Sequence, residues 1–133
     1  MSRESWGTFL ASKKPYTMFL QLLHTNLDTF KVSKCFVLSC CEETNELPPA
    51  EKLGITQQIT RAALSVHLNI AEGCSRKSAA ERKRFYEIAR GSLIEVDTAL
   101  AIAVDLNYVT KENLSELGKI ITRMFQPISK MIS

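Results

Sequence analysis

The chain has 133 residues, 45% of them apolar, with 5 glycines, 4 prolines and a formal charge of +3. That is enough chain for one domain with its own core, and too few turn residues for a many-stranded β fold or a disordered segment. Its longest apolar runs, Phe36–Leu38 and Leu100–Val104, are far too short to cross a bilayer, and Arg3, Glu4, Lys13 and Lys14 interrupt any signal-peptide core. A cytoplasmic protein without a membrane partner is expected.

A single domain is expected over residues 1–133, of which 1–15 form a weakly patterned leader. The first helix is predicted over about Thr17–Cys41, where Leu20, Leu23, Leu27, Phe30, Val37, Leu38 and Cys41 recur at helical spacing. Thr25, Thr29, Val32 and Ser33 lower its propensity. Glu43–Pro49 reads as a connection, because its two prolines can open a helix but not sit inside one. The second helix is expected over about Ala50–Glu72, with Ile55, Ile59, Ala62, Val66, Ile70 and Gly73 on one core arc. Leu53, Leu64, Leu68 and Ala71 point the other way. A helix apolar on two sides has two things to pack against, so Leu53, Leu64 and Leu68 are candidates for an oligomer interface.

Gly73 fits a helix C-cap in the left-handed region, and Ser78 fits the N-cap of the next helix. Ser78-Ala79-Ala80-Glu81 reads as a capping box, a device worth ~1 kcal/mol. The third helix, about Ala79–Leu106, carries the stripe Phe85, Ile88, Ala89, Ser92, Leu93, Val96, Ala99, Leu100 and Ala103. Asn107 and Tyr108 end it, and Thr110 is placed as the cap of a fourth helix that uses Leu114, Leu117, Ile121, Met124, Phe125, Ile128 and Ile132. Pro127 is expected to kink or shorten that helix. Four amphipathic helices with short links predict an all-α, antiparallel up-down-up-down four-helix bundle.

The charge is uneven. Arg76, Lys77, Arg82, Lys83, Arg84 and Arg90 face only Glu81 and Glu87 within their stretch, so this segment carries +4 and the remainder sums to −1. Arg82, Lys83 and Arg84 are consecutive and project at ~100° intervals, so they cannot form one stripe. Lys83 and Arg90 share a face with Lys77 nearby, whereas Arg84 lies on another flank. Arg76, Lys77, Arg82, Lys83 and Arg90 are therefore the candidate nucleic-acid contacts, of the kind that bind phosphate backbones without reading sequence. A specific phosphate pocket at the third helix's N-terminus is disfavoured by Glu81, whose carboxylate occupies the same first turn.

No nucleotide-loop, hydrolase or zinc-protease signature is present, and no cofactor is expected. Cys35, Cys40, Cys41 and Cys74 lack metal or disulfide spacing, and a metal site would need them to converge with His24 or His67. The carboxylates have local explanations, with Lys83 and Glu87 at i,i+4 and Glu87 and Arg90 at i,i+3. No catalytic residue is assigned. Asn69 in the second helix and Ser92, flanked by Glu95, in the third are polar on core faces, and a bond from Asn69 to Ser92 or Glu95 would fix register. Gly91, mid-helix, costs ~1 kcal/mol relative to alanine and is expected where another helix or subunit comes close.

The block N-I-A-E-G-C-S-R-K-S-A-A-E-R-K-R-F-Y-E-I-A-R-G-S-L-I-E-V-D, Asn69–Asp97, resembles the signature of the 23S rRNA intervening-sequence protein family, the four-helix-bundle proteins. The matching positions are Asn69–Gly73, Ser75, Arg76, Ser78, Glu81, Phe85, Ala89–Leu93 and Glu95. With G-I-T-Q-Q-I-T-R-A-A-L-S-V at Gly54–Val66 and L-N-Y-V downstream, the resemblance spans roughly residues 50–130. Val66-His67-Leu68 stand where family members often have a proline, and the first 50 residues match only in helical character. The resemblance implies a bacterial bundle, some of whose relatives are encoded within 23S rRNA genes, that assembles as a homopentameric ring. The fold is also similar to accessory proteins of diversity-generating retroelements, basic pentamers that bind a reverse transcriptase and nucleic acid. No activity comes with the resemblance, which fits Gly73, Ser78 and Glu81 as corner and cap, and Asn69, Ser92 and Glu95 as a polar clasp. The expected function is a non-catalytic homo-oligomeric adaptor that binds RNA or a nucleic-acid-associated protein; the alternative is a scaffold that binds protein alone.

Overall fold

The first helix, α1, spans Asp28–Thr44. It begins well after the expected Thr17, because residues 17–20 and 22 are not helical. The computed structural model describes residues 15–20, 22 and 27–133, so most of the expected leader, together with Leu23 and His24, lies outside the described residues. Leu27 takes the N-cap position in extended conformation without a side-chain bond, while Asp28 complements the helix dipole from the first turn. Of the expected stripe, Phe30 is buried and Leu27 packs on the core, but the rest of the buried side of α1 is not the expected one. Phe30, Val32, Ser33, Cys35, Phe36, Ser39 and Cys40 face inward, whereas Val37 and Leu38 are half-buried and Cys41 is exposed. Serines at core positions blur the apolar periodicity on which the sequence reading depends.

Leu47 enters the core from the connection, and a short 3-10 turn covers Pro49–Glu51. The second helix, α2, spans Ile55–Ser75, so the predicted start near Ala50 is replaced by that turn. Its inward face holds Ile59, Ala62, Ala63, Val66, Ile70 and Gly73. The third helix, α3, spans Ala79–Asp105 and buries Tyr86, Ala89, Leu93, Val96, Leu100 and Ala103. Burying each of the larger aliphatic side chains contributes about 1.5–3 kcal/mol.

A Schellman closure ends α3. Asn107 sits at φ 61°, its N–H donates to the Val104 carbonyl at 2.9 Å, and the Tyr108 N–H donates to Ala103 at 3.0 Å. Asparagine tolerates that left-handed position better than most residues. Thr110 Oγ1 accepts from the Asn113 N–H at 3.1 Å, capping a turn before the fourth helix, α4, which spans Ser115–Ile132. Pro127 lies inside α4 and does not end it.

Each helix packs on the next, and α4 also packs on α1, closing a four-helix bundle without strands among the described residues. Three bonds fix the direction of α2 against α3: Gln58 with Glu95, Ser65 with Ser92, and Cys74 with Tyr86. As numbers rise along α2 they fall along α3, so the pair is antiparallel. The links before α2 and after α3 meet at one pole, where Tyr108 Oη donates to Glu51 Oε1 at 3.1 Å. The α2–α3 corner lies at the other.

Candidate nucleic-acid interface

The corner is built by local chemistry that brings cations together. Helix α2 runs to Ser75, beyond the expected end, and Arg76 leaves it in extended conformation. Gly73 therefore does not cap the helix, and no described glycine has positive φ. Its role is spatial: a Cβ there would stand 2.4 Å from Cε1 of Tyr86, whose ring occupies the space a side chain would need. Tyr86 Oη donates to Cys74 Sγ at 3.4 Å, and burial, reinforced by this bond, raises the phenol pKa above its usual range. Ser78 caps α3 by accepting from the Glu81 N–H at 3.1 Å. Among the described residues the Glu81 carboxylate makes no return bond.

Arg82 closes the corner. Its Nη1 donates to the carbonyls of Arg76, at 3.1 Å, and Lys77, at 2.7 Å, so its cationic head sits on the two residues that link the helices. Arg76 pairs with Glu72 at 2.9 Å, and its guanidinium lies 4.9 Å from the centroid of Phe85. That exposed pair contributes little stability. Lys77 and Lys83 are exposed and make no side-chain ion pair among the described residues. The expected Lys83–Glu87 and Glu87–Arg90 pairs do not form. Arg90 turns toward α4, where its Nη1 donates to Ser129 Oγ at 3.4 Å, away from the corner. Spacing on one helix could not show that a third element would claim it.

The polar contacts between α2 and α3 use different partners from those expected. Asn69 Nδ2 donates to the carbonyl and hydroxyl of Ser65, at 2.8 and 3.1 Å, and not to Ser92 or Glu95. Ser65 meets Ser92 at 2.8 Å, so Asn69 reaches α3 through a relay that sequence reasoning missed. Glu95 accepts from Gln58. Gln58, Ser65 and Ser92 lie on the facing edges of an antiparallel pair, a signal present in the sequence once the register is known.

A serine and an imidazole also meet away from this corner. Ser33 Oγ lies 2.6 Å from His67 Nδ1, and the His67 ring stacks on Phe30 with centroids 4.5 Å apart. The Ser33 hydroxyl donates its one proton to the Phe30 carbonyl at 2.8 Å, so Nδ1 is the donor to Ser33 and does not serve as its base. Burial pushes the Cys35 thiol from the ordinary 9.0 to about 11 and raises Cys40 as well, keeping both protonated. No group of three or more metal-ligating side chains converges among the described residues.

Two apolar surfaces flank α3. On its α2 side, Leu64, Leu68 and Ile88 are 46%, 52% and 42% exposed, and a Cβ on Gly91 would meet nothing within 4 Å. Among the described residues no helix approaches Gly91, so of the two expected neighbours, another helix or a subunit, the described part of this chain does not supply the helix. Leu53 stands in the turn before α2, almost fully exposed. On its other side, α3 and α4 border an open groove of about 1,090 Å³ that includes Leu100, Val104 and Ile121, with Asp97 and Asp105 on its α3 side. No described helix is long and apolar enough to cross a membrane.

Residues 25–132 match the family described as 23S rRNA-intervening sequence protein. The chain belongs to that family. A solved member of the S23 ribosomal protein family, a protein of unknown function from Bacteroides thetaiotaomicron, superposes with a TM-score of 0.73. It is 21% identical, and the alignment covers 79% of this chain and 98% of that one. No curated protein matches. The family match covers all four helices and the whole corner.

Proposed function

We propose that this member of the 23S rRNA-intervening sequence protein family is a non-catalytic, homo-oligomeric adaptor of the cytoplasm that holds RNA through its α2–α3 corner. The observation that carries the reading is the Arg82 guanidinium seated on the carbonyls of Arg76 and Lys77, which gathers three cationic residues at one pole with Lys83 beside them. Such a cluster attracts phosphate backbones by counterion release and reads no base. The exposed Leu64, Leu68 and Ile88 support self-association, and the family resemblance favours five copies.

Titrating RNA binding against salt tests this. Binding is expected at low salt, weakening as salt rises, and Lys77→Glu with Lys83→Glu lowers the log–log salt slope by roughly 2. Arg90→Gln, on a residue held by α4, changes it less. Absence of binding at low salt, or a slope untouched by the double variant, overturns the reading. The prior engagement of Arg76 by Glu72 favours the second reading, a scaffold that binds protein alone, and partner capture insensitive to nuclease would support it.

A further inference from the structure

We infer that Arg76 and Phe85 form a stacking platform for one unpaired nucleobase, so that the RNA held at the α2–α3 corner is single-stranded. The inference rests on the RNA reading above and names the class of RNA and the pair of side chains that recognises it.

Both helices of the corner contribute to the platform. Arg76 leaves α2 in extended conformation, and its guanidinium lies over the half-buried Phe85 ring of α3. Glu72, one turn back on α2, accepts from Arg76 Nη2 at 2.9 Å. The main chain that carries the guanidinium is held as well, because Arg82 Nη1 donates to the carbonyls of Arg76 and Lys77. Among the described residues Arg76 has no further side-chain hydrogen bond, ion pair or ring contact. Its side chain is still 42% exposed. With the ring on one side and the carboxylate at one edge, the outer face of the guanidinium is what solvent reaches.

This arrangement suits a base better than a phosphate. Glu72 already compensates the Arg76 charge and occupies one of its donor nitrogens, which weakens it as a clamp for an anion. A planar cation backed by an aromatic ring keeps its stacking surface, and unpaired bases stack on arginine planes and aromatic rings alike. In a duplex each base has its faces covered by its neighbours, so only an unpaired base can enter. The phosphates beside that base meet Lys77, next in the link, and Arg84, which projects about 100° from Phe85 around α3. Both are exposed, and neither side chain makes an ion pair or hydrogen bond among the described residues. Glu81 stands one turn before Phe85 on α3 and repels phosphate there, which leaves Lys77 and Arg84 to guide the strand.

Fluorescence anisotropy at low salt with three RNA probes tests the inference: a short oligoadenylate, an oligoadenylate–oligouridylate duplex of the same length, and an abasic strand with the same phosphates. The oligoadenylate is expected to bind about tenfold more tightly than the abasic strand, and more tightly than the duplex despite the greater charge density of the duplex. Arg76→Lys keeps the charge and removes the plane, so it is expected to abolish that preference with the salt slope unchanged. Phe85→Leu, which leaves the cation without its ring, is expected to reduce the preference, with circular dichroism confirming the fold of both variants. Arg84→Gln is expected to weaken the oligoadenylate and the abasic strand alike. Equal binding of those two strands, tighter binding of the duplex, or a preference that survives both Arg76→Lys and Phe85→Leu overturns the base platform while leaving RNA binding through phosphates intact. No binding of any probe overturns both.

Discussion

The α2–α3 hairpin and the α1–α2 pair are held by different contacts. Helices α2 and α3 share three polar rungs along their length, and Tyr86 is seated on Gly73 where they turn. Helix α1 meets α2 through Ser33, His67 and a stacked Phe30, and it starts without a side-chain cap. The hairpin has its direction and register specified by paired groups at several levels. The α1 contact includes a polar meeting of Ser33 with His67, with apolar packing around it.

Four substitutions sharpen that contrast. Gly73→Ala forces the Tyr86 ring to move and is expected to destabilise by about 1–3 kcal/mol in chemical denaturation. Combining it with Tyr86→Leu should recover part of the loss, and additive losses would show that the ring is not the obstacle. Ser33→Ala withdraws the oxygen that meets His67 Nδ1, at an expected cost of about 1–2 kcal/mol. An unchanged midpoint would mean that this polar spot does not hold α1. Gly91→Ala is expected to act in the opposite sense, stabilising the isolated fold by about 0.5–1 kcal/mol, because its Cβ enters open space within a helix. A loss of stability in the single chain would reveal an intramolecular constraint at Gly91.

The same contrast explains what the sequence made legible. The extent of α3 was readable because its apolar stripe is long and its ends carry Ser78 and Asn107, residues whose chemistry stops helices. The inward face of α2 was readable for the same reason of period. The start and inward face of α1 were not, since buried Ser33, Ser39 and Thr44 count as polar in any periodicity and Val37 and Leu38 count as core without being buried. At the corner, the abundance of cations was plain from the string, but their separation was not. Arg82 is drawn back onto the link and Arg90 is drawn to α4, both by partners distant in sequence or set by the turn itself. Gly73 shows the same limit: a glycine near a helix end suggests a cap, and only the position of Tyr86 reveals a steric reason.

The Tyr108–Glu51 bond has a practical corollary. It gathers both of the other connections at the end remote from Arg82, so the bundle is chemically polarised along its axis. A dye or surface linker attached to exposed Lys52 would point away from the cationic tip and leave that tip free for measurement.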